Sequence, residues 1–157
     1  MDQTLTHPLA PQPFAQAKAH LSDLMDQAVH QHRMQLIDRH RGKERAVLVS
    51  VADLGLLLEG FRFEPKVSVS DGVFVIRLPE LGLVAGGSTY EEALGELVEL
   101  AEQQAENFLD RLDFYMQTER RTQLAWLLKV ALTPAEDRSQ LFLPSPPAQE
   151  AEAAQPA

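Results

Sequence analysis

The residues of this chain best suited to chemistry are five cations within thirteen positions, Arg33, Arg39, Arg41, Lys43 and Arg45. Only Asp38 and Glu44 interrupt them, which leaves a local charge of +3 in a chain whose net charge is −9. Guanidinium and ammonium groups at such density suit phosphate oxygens, and a phosphate backbone answers to local field more than to net charge. The same residues would also simply solvate an ordinary hairpin. Charge is unevenly spread along the chain. Residues 1–60 hold six Lys/Arg, seven Asp/Glu and all five histidines; residues 61–109 hold three cations against nine acids, and 110–157 five against seven.

Other chemistries find less support. His30 and His32 stand two apart, and on a helix such positions do not share a face. Zinc needs three or four ligands, and with no cysteine and no clustered carboxylate nearby the shell is not completed. The glutamates between residues 91 and 106 fall on what reads as a solvated helix, without the pocket that perturbs a catalytic carboxylate. Ser22, Ser50, Ser68, Ser70 and Ser88 lie in caps or strands, and none sits in a G-x-S-x-G elbow. Gly86-Gly87 precedes a helix without the lysine of a phosphate-cradling loop. The expectation is a non-enzymatic protein with no cofactor and no metal.

These residues need elements to hold them. Phe14, Ala17, Leu21, Leu24, Met25, Ala28 and Val29 recur at helical spacing and predict an amphipathic first helix. Strands MQLIDRH and AVLVSV then bracket the turn Arg41-Gly42-Lys43, and Val-Ala-Asp-Leu-Gly-Leu-Leu-Leu predicts a short helix. The first dozen residues, with Pro8 and Pro11, are expected to be extended or frayed. A second unit starts at Lys66. Its strand KVSVS ends in Asp71-Gly72, a strong hairpin signal, and VFVIRL returns. Thr89 with Glu92 three residues on fits a capping box for a long helix. Leu94, Leu97, Val98, Ala101, Ala105, Phe108, Leu109 and Leu112 line one of its faces.

Length and composition agree with this organisation. A chain of 157 residues, 45% hydrophobic and 24% charged, suits one or two small globular domains. The N-terminus lacks the basic and apolar regions of a signal peptide, and no apolar run reaches the ~20 residues of a membrane span. A cytoplasmic protein without a membrane partner is expected. After Thr133-Pro134 the composition turns to Pro, Ala, Glu and Gln, which predicts a disordered tail broken by the apolar patch Leu141-Phe142-Leu143.

The order helix, strand, basic turn, strand, helix resembles the N-terminal domain of Phd/YefM antitoxins. The matching residues are Phe14, Ala17, Lys18, Leu21 and Leu24, then Ile37, Arg39, Gly42, Lys43, Ala46, Val47, Leu48, Val49 and Ser50. The second unit is similar to the HicB antitoxin domain through Val75, Pro79, Leu81, Gly87, Ser88, Thr89, Glu91, Glu92, Ala93 and Leu94. Gly82-Leu83-Val84 stands where that family usually has Pro-Gly-Cys.

The resemblances imply an α+β chain: a Phd/YefM-like α/β dimerisation and DNA-binding domain (1–60), a HicB-like hairpin-plus-long-helix unit (66–132) and a disordered tail (133–157). They imply a homodimer whose basic surfaces meet successive turns of an operator. Lys18, His20, Arg39, Arg41 and Lys43 are the expected DNA contacts, Lys18 and His20 through their place near the start of the first helix. The apolar segment from residue 124 to 132 either closes the core of its own unit or lies in a groove on a protein toxin. In the second case Trp126, Leu127, Val130, Leu141, Phe142 and Leu143 form the grip, with Trp126 as anchor. The function implied is an antitoxin of a type II toxin-antitoxin system that neutralises a protein toxin and represses its own operon. The alternative is a stand-alone DNA-binding regulator or interaction adaptor without a toxin.

Overall fold

The computed structural model of the protein describes residues 9–145. The chain divides between Glu59 and Gly60 into two compact units.

The first unit contains β1 (Pro11–Pro13), α1 (Phe14–Ala19), α2 (Leu21–His30), β2 (Gln35–Arg39), β3 (Glu44–Leu48) and α3 (Val51–Leu58). β2 and β3 form an antiparallel hairpin in which Ile37 faces Ala46 and Arg39 faces Glu44. β1 adds in parallel to β2, from Pro11 opposite Leu36 to Pro13 opposite Asp38. The stretch expected to be extended or frayed is extended from Pro11 onward, as an edge strand, the place in a sheet that tolerates proline; residues 1–8 lie outside the described range. Gln35, the buried polar residue beneath this edge, accepts from Gln12 Nε2 at 2.8 Å and donates to the Arg33 carbonyl at 2.9 Å. Ser50 caps α3 by accepting from the Asp53 amide at 3.0 Å.

The helix expected to be continuous is broken at His20, whose backbone (φ −122°, ψ 29°) leaves the helical range. Only part of its apolar stripe is buried. Ala17, Leu24 and Ala28 point inward, while Phe14, Leu21, Met25 and Val29 remain exposed. Leu56 and Leu57 of α3 are also uncovered, at 63% and 64% exposure. The unit carries more apolar surface than its own core can hide.

The second unit contains β4 (Lys66–Ser70), β5 (Val73–Leu78) and β6 (Leu83–Gly87), an antiparallel meander in that order. Asp71 and Gly72, at φ 52° and 76°, make the two-residue turn between β4 and β5, a conformation that favours Gly and Asp. Across β6 and β5 lies α4 (Tyr90–Asp110), followed by α5 (Leu112–Tyr115), a 3₁₀ turn (Glu119–Gln123) and α6 (Leu124–Leu132). Ala93, Leu97, Ala101, Ala105 and Phe108 form the buried stripe of α4; its alanines let β6 and α6 approach closely. Gly87 is required where β6 runs into α4, because a Cβ there would stand 2.6 Å from the Ala93 nitrogen.

The expectation of a disordered tail from residue 133 is overturned as far as residue 145. Ala135–Phe142 form a 3₁₀ helix, and Phe142 is fully buried against Phe63, ring centroids 5.0 Å apart. Arg138 fastens this segment. Its Nε donates to the carbonyls of Val130 (3.2 Å) and Thr133 (3.0 Å), and its Nη1 meets Glu102 Oε1 at 2.8 Å. The polar average composition concealed a single aromatic anchor and a guanidinium that satisfies the end of α6. Residues 146–157 of that expectation lie outside the described range.

Candidate functional site

The basic hairpin is built by cross-strand pairing. Arg39 and Glu44 close the ladder, and Arg39 Nε donates to Glu44 Oε2 at 2.6 Å. The Arg39 guanidinium also lies over the Phe14 ring, 5.5 Å from its centroid. His40, Arg41 and Gly42 follow at φ 53°, 57° and 80°. Left-handed backbone at a non-glycine costs on the order of 1–2 kcal/mol, so His40 and Arg41 hold their geometry because the ladder beneath imposes it. Lys43 returns the chain with its amide donating to the His40 carbonyl at 3.3 Å.

This geometry sorts the cations that sequence spacing could only group. Arg39 is paired with Glu44, and Arg45 stands opposite Asp38. Arg41 and Lys43 sit exposed in the turn with no ion pair among the described residues. Arg45 is not among the DNA contacts that the resemblance implies, yet its Nη2 would lie 3.2 Å from a Cβ at Gly42, so its guanidinium folds beside the turn. The signal for that arrangement is the pair of opposite charges at positions 39 and 44, which fixes the register around the loop.

Lys18 and His20 fall elsewhere than expected. Lys18 is in the last turn of the six-residue α1, and His20 is the N-terminal flank of α2, making no side-chain cap. The first turn of α2 carries Asp23, whose Oδ2 is 3.8 Å from His20 Nδ1. A carboxylate at that helix end disfavours a phosphate there. His30 and His32 form no joint site; His32 Nδ1 instead pairs with Asp53 Oδ1 at 2.9 Å. Among the described residues, no group of three or more His, Asp or Glu could hold a metal.

The expected toxin grip is largely interior. Leu127, Val130 and Phe142 are buried in the core of the second unit, because the apolar face of α6 finds α4 before it can find a partner. Trp126 and Leu141 are partly buried against the same core, Trp126 with its ring 5.3 Å from Phe61 and 5.1 Å from Phe63. Leu143 alone of the six is exposed. Of the two readings the sequence left open for residues 124–132, closure of the unit's own core is the one the structure adopts.

The start of α4 is held by a cluster of side-chain hydrogen bonds. Thr89 Oγ1 accepts from the Glu92 amide at 3.1 Å, while the Glu92 carboxylate accepts from the amide of Ser88 at 2.9 Å and from its hydroxyl. These bonds, led by the Ser88 hydroxyl, hold the Glu92 carboxyl below its ordinary pKa of 4.5. The arrangement is a capping device rather than an acid–base site. Among the described residues, no helix is long and apolar enough to cross a membrane.

Two small sheets, each braced by helices, with a charged hairpin on the first, define an α+β protein of two compact units. A family model described as PHD-like, antitoxin of toxin-antitoxin, RelE / RelB, TA system, matches residues 9–143. The chain belongs to that antitoxin family. The fold is shared with a crystal structure from Syntrophomonas wolfei subsp. wolfei, described as the antitoxin part of a proposed toxin/antitoxin system. It superposes with a TM-score of 0.77 at 16% identity, over 87% of this chain and 99% of that one. A search of the curated proteins returned no match.

Proposed function

We propose that this antitoxin neutralises a protein toxin and represses its own operon, with the first unit serving as a Phd/YefM-like dimerisation and operator-binding domain. The second unit serves as a HicB-like domain that meets the toxin. The observation that carries the DNA half is the hairpin, a tight turn that presents Arg41 and Lys43 exposed and without an ion pair among the described residues. Arg39 and Arg45 support the turn and add charge to its flanks. The exposed stripe Leu21, Met25 and Val29 supports pairing of two first units, which would set two hairpins on a palindromic operator.

The toxin half rests on the antitoxin family and on the acidic helix α4, whose glutamates suit a basic partner. Within the expected grip, the residues left for a partner are Leu143 and the open edges of Trp126 and Leu141. The burial of Leu127, Val130 and Phe142 favours the alternative of a regulator without a toxin more than sequence alone did.

The decisive experiment is growth with the adjacent open reading frame expressed alone and then together with this chain. Arrest relieved by co-expression supports neutralisation; a harmless neighbour removes the toxin half. Operator binding is tested separately by titrating DNA from upstream of the gene at several salt concentrations. Arg41→Ala with Lys43→Ala should weaken binding to all sequences and lower the salt slope by about 1 for each phosphate that is no longer neutralised. An unchanged slope would take DNA away from the hairpin.

A further inference from the structure

The free edge of β4 has no role in that reading, and its residues are arranged in a self-complementary way. We propose that this edge seats the same edge of a second copy of the chain, paired antiparallel about Ser68. All five residues of β4 are exposed, Val67 at 42% and Val69 at 58%. The strand pairs with β5 in unbroken register and with nothing on its other side among the described residues. Monomeric proteins blunt such edges with bulges, internal prolines or repeated charges. β4 carries only Lys66, at one end.

Hydrogen bonding sets the geometry. Ser70 and Val73 flank a two-residue turn and are therefore a hydrogen-bonded pair, so Ser70, Ser68 and Lys66 direct their backbone groups to β5. The N–H and C=O groups of Val67 and Val69 then point to the free edge. An antiparallel copy centred on Ser68 places Val67 opposite Val69 of the second copy, and each donor meets an acceptor. The apolar surface matches in the same register. Val67 lies opposite Ile76 and Val69 opposite Phe74, so both valines share the sheet face on which α4 packs. α4 covers β6 and β5, and the valines remain open. A second copy extends the sheet and sets the valines of both strands side by side.

Charge selects the same occupant. Lys66 lies directly opposite Arg77, a like-charge pair that disfavours the isolated sheet, and neither has an ion pair among the described residues. Pairing about Ser68 brings Ser70 and then Asp71 of the second copy beside Lys66. The carboxylate missing from one copy is supplied by the other, twice over by symmetry. This contact is independent of the toxin reading and distinct from the pairing proposed for the first unit.

The chain contains no cysteine, which makes cross-linking clean. In the proposed register Ser68 faces its own copy as a non-hydrogen-bonded pair, with Cα atoms about 4.5 Å apart, inside the range a disulfide spans. Lys66 and its copy would be about 13 Å apart, too far to link. Full-length Ser68→Cys, Lys66→Cys and Gln103→Cys chains are oxidised mildly, each also in a Met25→Glu background that breaks the first-unit pairing. Ser68→Cys should form a disulfide dimer at least about tenfold faster than either control in both backgrounds. A mixture of Lys66→Cys with Ser70→Cys should link across copies. Linking of Ser68→Cys no faster than Gln103→Cys, or equal linking by Lys66→Cys alone, overturns the proposal. Slow amide exchange at Val67 and Val69 only when toxin is added also overturns it, and assigns the edge to that protein instead.

Discussion

The two units of this protein use nearly equal hydrophobic vocabularies in opposite ways. The second closes a core in which Ile76, Leu78, Leu97, Phe108, Leu127, Val130 and Phe142 are all but inaccessible to water. The first buries Ala17, Leu24, Ala28 and Leu58 and leaves Leu21, Met25, Val29, Leu56 and Leu57 outside. A core built around two alanines and two leucines is thin for about fifty residues, since stability scales with apolar area removed from water. The contrast teaches where partners are needed. Unit 2 hides its large apolar side chains in its own packing; unit 1 leaves a comparable set exposed, the surface that the proposed pairing would cover.

The largest effect should come from attacking the closed core. Phe142→Ala removes a fully buried ring that touches Phe63, and is expected to cost unit 2 about 3–5 kcal/mol in denaturant unfolding. An effect near zero would mean that the 3₁₀ segment does not hold the core, and would return it to the pool of partner-binding elements. On the open side of the comparison, Met25→Glu should convert the chain to a form whose unit 1 unfolds at a midpoint no longer dependent on protein concentration. Unit 2 unfolding should be unchanged. Sedimentation that shows the same mass for both chains would break the contrast.

Smaller changes sharpen it. Gly87→Ala forces a Cβ against the backbone nitrogen of Ala93, which cannot move without shifting α4, and should cost about 1–3 kcal/mol. Acid should erode the same junction. The folded-state pKa of Glu92 lies below the ordinary 4.5, so its contribution is complete above that value and is lost as the pH falls below it. Glu92→Gln should lower unit 2 stability at neutral pH and flatten its decline below pH 4.5, read from denaturant midpoints across that range. A decline as steep as before would place the acid sensitivity elsewhere.

Local chemistry made several of these features readable in advance. Asp71-Gly72 could scarcely be anything but a tight turn, and Thr89 with Glu92 announced the start of α4. The cations around Gly42 marked a charged hairpin because they cluster within a few residues. The break at His20 carried no proline or glycine to signal it. The partition of the first apolar stripe was also invisible, since helical spacing places Leu24 and Met25 on overlapping faces and cannot say which one meets the sheet. The tail misled because composition averages over many residues, whereas Phe142 and Arg138 act singly.

What the sequence determined by itself were properties set within a few residues: turn type, helix caps, strand alternation and the sign of local charge. Which cations in the hairpin lack an ion pair among the described residues, which apolar residues form a core and which stay exposed were decided only by tertiary structure. The physical reason is range. Capping and turn geometry are satisfied by neighbours along the chain, whereas burial depends on elements such as α4 and the 135–142 segment that meet α6 only after the chain has folded.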